Sequence, residues 1–336
     1  MDILNAFVAF ANFVLIPATA YGAQLALGAL GVTLIYGVLR FSNFAHGETM
    51  SFGAMVVVLV TALFQSWGLS LGPLPTALLA LPIGILVTAL LLLTTDRVVY
   101  KFYRKVKAAP VMLVIVSTGV MFVMNGVVRM VVGTEDRRFA DGARFLVNAR
   151  DFKAWSGLDE GLAIKTTQVI TVVVALITVA ALFWFLNKTR TGKSMRAFSD
   201  NEDLALLSGI NPERVVTITW LLVAALATIA GALYGLDKSF KPFIYQQLLL
   251  PVFAAAIVGG IGNPLGAIAG GFVIAFSEVT LTYAFKKVIT YLSPDSWSPD
   301  GLVQLLSTDY KFAVSFAILI IVLLFKPTGL FKGQSI

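Results

Sequence analysis

Long uncharged stretches alternate with short charged ones along this chain. The uncharged ones run from Ile3 to Leu39, Thr49 to Thr95, Ala108 to Val128, Thr166 to Leu186, Val215 to Leu236 and Pro242 to Ser277. A hydrocarbon core of ~30 Å takes ~20 helical residues, so the first two stretches and the last each hold two passes. No stretch alternates apolar and polar positions with a period of two, which disfavours a barrel. The pattern predicts an all-α, polytopic transmembrane bundle of about 8–10 segments, built as a single domain over residues 1–336.

Breaks within the apolar runs refine this. The first run stops at Pro17, so residues 3–17 either cross as a short helix or lie at the interface, and a second run covers 19–39. Its start has no basic region and no small-residue cleavage site, so it reads as retained. The turn-rich segment after Trp67 separates spans at 49–66 and 76–95. From Pro251 onward the run is interrupted by GGIGNPLG, which predicts a broken or re-entrant segment near 248–266. The final span begins near Asp309, and Lys311 would have to snorkel to complete it.

The polar island from Thr191 to Val215 has the marks of a folded element. Asp200 can cap a helix, Glu202 and Asp203 suit the positive end of its dipole, and Gly209 supplies a left-handed stop. Asn211 and Pro212 then open the next span. A short amphipathic helix, from about Asp200 to Ser208, therefore leads directly into a membrane-spanning one.

Composition agrees with the pattern, with 58% hydrophobic residues, 13% charged and a mean hydropathy of +0.88. The net charge of +7 is informative through its placement. Five basic residues between Arg97 and Lys107 face one nearby acid, Asp96, and mark a cytoplasmic loop. Lys188, Arg190, Lys193 and Arg196 place 187–214 on the same side, and Lys326 and Lys332 place the C-terminus there. The segment 133–165 carries six basic and six acidic residues, fits the opposite, periplasmic side, and is a candidate for contacting a soluble partner. A second candidate on that side is 286–311, with Trp297.

Candidate chemistry is sparse. There is no cysteine and one histidine, so thiolate metal sites and disulfides are excluded and His46-Gly47-Glu48 cannot complete an H-E-x-x-H zinc helix. Gly192-Lys193-Ser194 lacks the glycine that a phosphate loop needs five residues earlier, where Asn187 stands. Arg129 reads as snorkelling to the outer interface. Ionisable groups deep in a membrane segment face protein or water, because lipid exposure costs ~2.5 kcal/mol or more at the centre. For His46 and Glu48 the readings are a helix-hairpin corner, with Ser42 or Asn43 as cap, or a proton relay. Glu278 has no basic residue within one turn, so pairing with another chain or proximity to the outer interface ranks ahead of substrate binding.

Asp203-Leu204-Ala205 followed by Gly209 resembles the E-A-A-x-x-x-G loop of ATP-binding-cassette importer permeases, with Asp and Leu at two of its fixed positions. Tyr36 to Glu48, YGVLRFSNFAHGE, resembles the signature of the permeases of high-affinity branched-chain amino-acid importers, the LivH type. Gly192 to Ala197, Leu207 to Asn211, Ala230 to Gly235, Gly259 to Gly266 and the ending Leu323 to Gly333 extend the likeness over nearly the whole chain. The resemblance implies coupling to an ATPase through Arg196, Asp200, Glu202, Asp203, Ala205 and Gly209. Asn43, His46, Glu48, Gly259, Gly260, Asn263 and Glu278 become candidates for a pathway or a structural motif. It also implies the partners: a second permease of LivM type, two cytoplasmic ATPase subunits that hold ATP and Mg, and a periplasmic binding protein, with no cofactor in this chain and no nucleic acid. The implied location is the bacterial inner membrane. Urea or short amides are the alternative substrates within the resemblance, and a proton-coupled secondary transporter is the alternative outside it.

Overall fold

The computed structural model describes residues 2–133, 135–139, 144–293 and 299–331. Trp297, Lys332 and Gly333 lie outside the described residues. Among those described, nine helices are long and apolar enough to cross a membrane. They are α1 (Asp2–Leu39), α2 (His46–Ser66), α3 (Ala77–Lys105), α4 (Pro110–Val132), α6 (Thr166–Lys188), α9 (Pro212–Lys238), α10 (Pro242–Gly259), α11 (Pro264–Thr282) and the last, α13 (Lys311–Phe325), with the 3-10 turn Thr308–Tyr310 before it. Shorter helices are α5 (Ala149–Ser156), α7 (Arg190–Asp200), α8 (Glu202–Leu207) and α12 (Lys286–Leu292). A two-stranded antiparallel ribbon pairs β1 (Phe145–Val147) with β2 (Ile164–Lys165). The chain is a multi-pass helical membrane protein.

Pro17 does not end the first helix. A π turn at Ala11–Leu15 precedes it, in which the Ile16 N–H reaches the Ala11 carbonyl. Pro17 then falls in the first turn of the α-helix that follows, where a missing N–H is tolerated, and the helix continues to Leu39. Arg40 then closes it in the left-handed conformation, φ 57°. The break expected in 248–266 is found at 260–263, between two helices that each cross, and Pro251 lies inside the first of them.

The core forms around the second half of α1, which is buried on nearly every side and packs on α9, α10 and α11. Small residues set the spacing. A side chain at Gly259 would strike the Gly266 carbonyl, and one at Gly270 the Ala255 carbonyl, so α10 and α11 pack backbone to backbone. At the rim, α4, α6 and α13 are largely exposed.

Contacts sort the ends into two faces. On one, Lys101 pairs with Glu213 at 2.8 Å, Arg40 bonds the Ser199 carbonyl, and the Leu330 and Phe331 N–H groups bond the Val258 and Gly259 carbonyls. On the other, Asn5 bonds Asp159 and Glu160, Arg144 bonds the Gly72 carbonyl, and Lys287 holds Glu160 at 2.9 Å. The N-terminal end of α1 therefore shares a face with the ribbon and α5, opposite Arg40 and α8. The first face collects the basic loops, and the second the 144–165 platform.

Candidate functional site

On the basic face, α7 ends at Asp200 and α8 begins at Glu202. The cap of α8 is Asn201, whose side chain accepts from the Leu204 N–H at 3.0 Å, and not Asp200, which is the exposed last residue of α7. Asn201 wins because its backbone is extended, φ −153° and ψ 107°, as a cap requires. Glu202 and Asp203 occupy the first turn as expected. At the other end, the Ile210 N–H bonds the Ala205 carbonyl, the Gly209 N–H bonds that of Leu206, and Gly209 has φ 80°. These two bonds form a Schellman stop. Two residues later the Asn211 side chain caps α9 through the Arg214 N–H. Ala205 faces inward, while Leu204 and Leu207 are 61% and 85% exposed. Arg196 bonds Asn187 at 2.9 Å, fastening α7 to the end of α6.

The stretch 40–48 folds back into the bundle. Phe41 stacks near Tyr100, which stacks on Trp220, both with ring centres 5.4 Å apart. Trp220 donates to Asp96 at 2.8 Å, and Arg104 grips the same carboxylate. Asn43 does not cap α2: its side chain accepts from Tyr100 and from the Ala45 N–H, and no side chain caps that helix. His46 Nε2 donates to the Gly28 carbonyl at 3.0 Å, its ring filling the notch at Gly31. Glu48 accepts from Asn125 on α4 at 2.8 Å. His46 thus engages α1 and Glu48 engages α4, the expected side-chain cap is absent, and no hydrogen bond joins the two residues into a relay.

With this geometry in place, comparison with known proteins is informative. A family model described as the permease component of the branched-chain amino acid transport system matches residues 15–323. This chain belongs to that family. The high-affinity branched-chain amino acid transport system permease protein LivH of Escherichia coli K12 is 31% identical over 314 residues, covering 92% of this chain and 91% of its own. BraD of Pseudomonas aeruginosa, a permease of the same description, is 27% identical over 318 residues and 94% of each chain.

The candidate residues of this family member do not form one site. Gly259 and Gly260 lie at the basic face under residues 329–331, and Asn263 caps α11 while donating to the Phe331 carbonyl at 2.8 Å. Their place is structural. Glu278 is fully buried nearer the other face, where Lys311 Nζ stands 3.6 Å away and Ser315 donates to it. A basic partner for it therefore stands in the same chain. Lys311 does not snorkel: it turns inward, 3.7 Å above the Tyr21 ring. Arg129 likewise does not reach out but lies 3.8 Å over the Phe243 ring. Sequence reasoning looked within one turn of Glu278 and missed a lysine 33 positions away. It also passed over Gln246 and Gln247, whose exposure on α10 their lack of charge concealed.

Proposed function

We propose that this chain is the membrane subunit of an ATP-driven importer for branched-chain amino acids in the bacterial inner membrane. The observation that carries the reading is α8, a short helix capped at both ends, presenting Leu204 and Leu207 on the face that collects the basic loops. Positive loops stay in the cytoplasm, so that face is the inner one and the described C-terminal residues lie there. The reading pairs the chain with a second, LivM-type permease and with two ATPase subunits, which would hold ATP and Mg and carry out the hydrolysis. A binding protein would dock on the opposite face, where α5 displays Trp155 at 85% exposure.

The geometry gives the lever its rigidity. Because Asn211 caps α9 immediately after the Schellman stop, a displacement of α8 moves the inner end of α9 with it. Arg40, bonded to the Ser199 carbonyl, carries the displacement of α7 into the end of α1 and the 40–48 stretch. Such a linkage transmits work only if the two bundle states differ in their affinity for the moving ATPases.

Two substitutions test this. Gly209→Pro forbids φ 80° and deletes the N–H that stops α8, and Asp203→Lys reverses the charge in its first turn. Both variants are expected to insert normally and to lose binding-protein-stimulated ATP hydrolysis in the assembled transporter. Full stimulation in both would remove α8 from the coupling.

A further inference from the structure

We infer that the junction of α2, α4 and α10 is a station on the transport path, in which Glu48 takes the ammonium group of a zwitterionic amino acid and Arg129 its carboxylate. This inference rests on the importer reading above and assigns residues to its path.

Glu48 is 1% exposed and only half satisfied. Asn125 fills one carboxylate oxygen, the other has no hydrogen-bond partner, and no basic group stands within ion-pair distance among the described residues. One turn along α4, Arg129 is in the complementary condition. Its guanidinium rests on Phe243, and its buried Nε has no acceptor. Asn125 and Arg129 are four residues apart on one helix, so they share a face with ~6 Å between their Cβ atoms. An unmet acceptor and an unmet donor of opposite charge on neighbouring helices match a ligand that carries both charges. Neither group matches a hydrocarbon chain.

A separate observation concerns α10. Gly47 is pressed against the Tyr245 carbonyl and Leu249, which fixes α10 beside the start of α2. The outward side of α10 then carries Gln246, half-buried, and Gln247, exposed, about one turn after Phe243. Polar groups on a lipid-facing surface are costly and rare. The outward side of α6, with Val169, Val173, Leu176 and Ile177, has the apolar character that lipid requires. The α10 surface around Gln246 and Gln247 therefore suits water or protein better than lipid, while the exposed residues of α4, and of α6 before Asn187, are apolar. Phe44 and Phe253, stacked at 5.4 Å on the same side, provide apolar surface for a branched side chain.

The chain has no cysteine, so a single introduced thiol reports its own surroundings. In the assembled transporter, Gln247→Cys should react with methanethiosulfonate ethyltrimethylammonium about tenfold faster than Ile177→Cys, and leucine supplied during turnover should slow the reaction. Glu48→Gln and Arg129→Gln should each lower leucine uptake about tenfold while stimulated ATP hydrolysis stays within about twofold of the parent. Equal labelling of the two thiols, or parental uptake in both charge variants, overturns the proposal. Failure of the importer reading looks different: leucine uptake by the parent would then proceed without ATP, and the labelling contrast would decide the nature of the junction alone.

Discussion

Glu48 and Glu278 are the same residue, both deep in the bundle and both almost fully buried, yet the protein treats them differently. Glu278 is matched within the chain, with Lys311 at 3.6 Å and the Ser315 hydroxyl on its other oxygen. The pair fastens α13, otherwise a mostly exposed helix, to α11 and α1. Glu48 has an amide on one oxygen and nothing on the other. A buried charge that is paired joins helices, whereas one left incomplete is the kind of group that the proposal gives to an arriving ligand. Burial alone does not distinguish the two, and a cation within ion-pair distance does.

The largest expected effect falls on the matched site. Lys311→Met leaves Glu278 buried and unpaired, which should destabilise the transporter by about 3–5 kcal/mol, read as a lowered midpoint of thermal unfolding in detergent. Adding Glu278→Met to Lys311→Met should recover most of the loss; no recovery would mean that the pair is not the fastening. Glu48→Gln should sharpen the contrast by lowering transport without lowering that midpoint, because no ion pair among the described residues holds that charge. The smallest effect belongs to His46→Gln, which keeps a donor for the Gly28 carbonyl and should leave leucine uptake within about threefold of the parent. Complete loss with normal assembly would give His46 a chemical role that its packing against α1 does not suggest.

Which parts were legible in the sequence follows from the range of the interactions. Spans, the Asn211 cap and the Gly209 stop depend on residues within one or two turns, and they read correctly. The π turn before Pro17 did not, because hydropathy reports where a helix is apolar and says nothing about which carbonyl its N–H groups reach. Asp200 and Asn201 are equally good caps by composition, and only the extended backbone at 201 separates them. Lys311 and Arg129 looked like snorkelling residues at span ends. Their partners, Glu278 and the Phe243 ring, lie on other helices and become visible only after packing. Of the candidate site, the short helix α8 was readable nearly to the residue, and the meeting of polar groups from α2, α4 and α10 was not, since they come from three separate spans.

The whole account requires α8 to lie inside the cell and the 144–165 platform outside. Leu207→Cys and Asp159→Cys, each the only thiol in the chain, allow this to be measured with a membrane-impermeant maleimide on intact and opened cells. The account predicts that Asp159→Cys reacts in intact cells with a permeabilised outer envelope, and that Leu207→Cys reacts only once the inner membrane is broken. The reverse order would place the lever where no cytoplasmic ATPase can reach it, and would contradict the account.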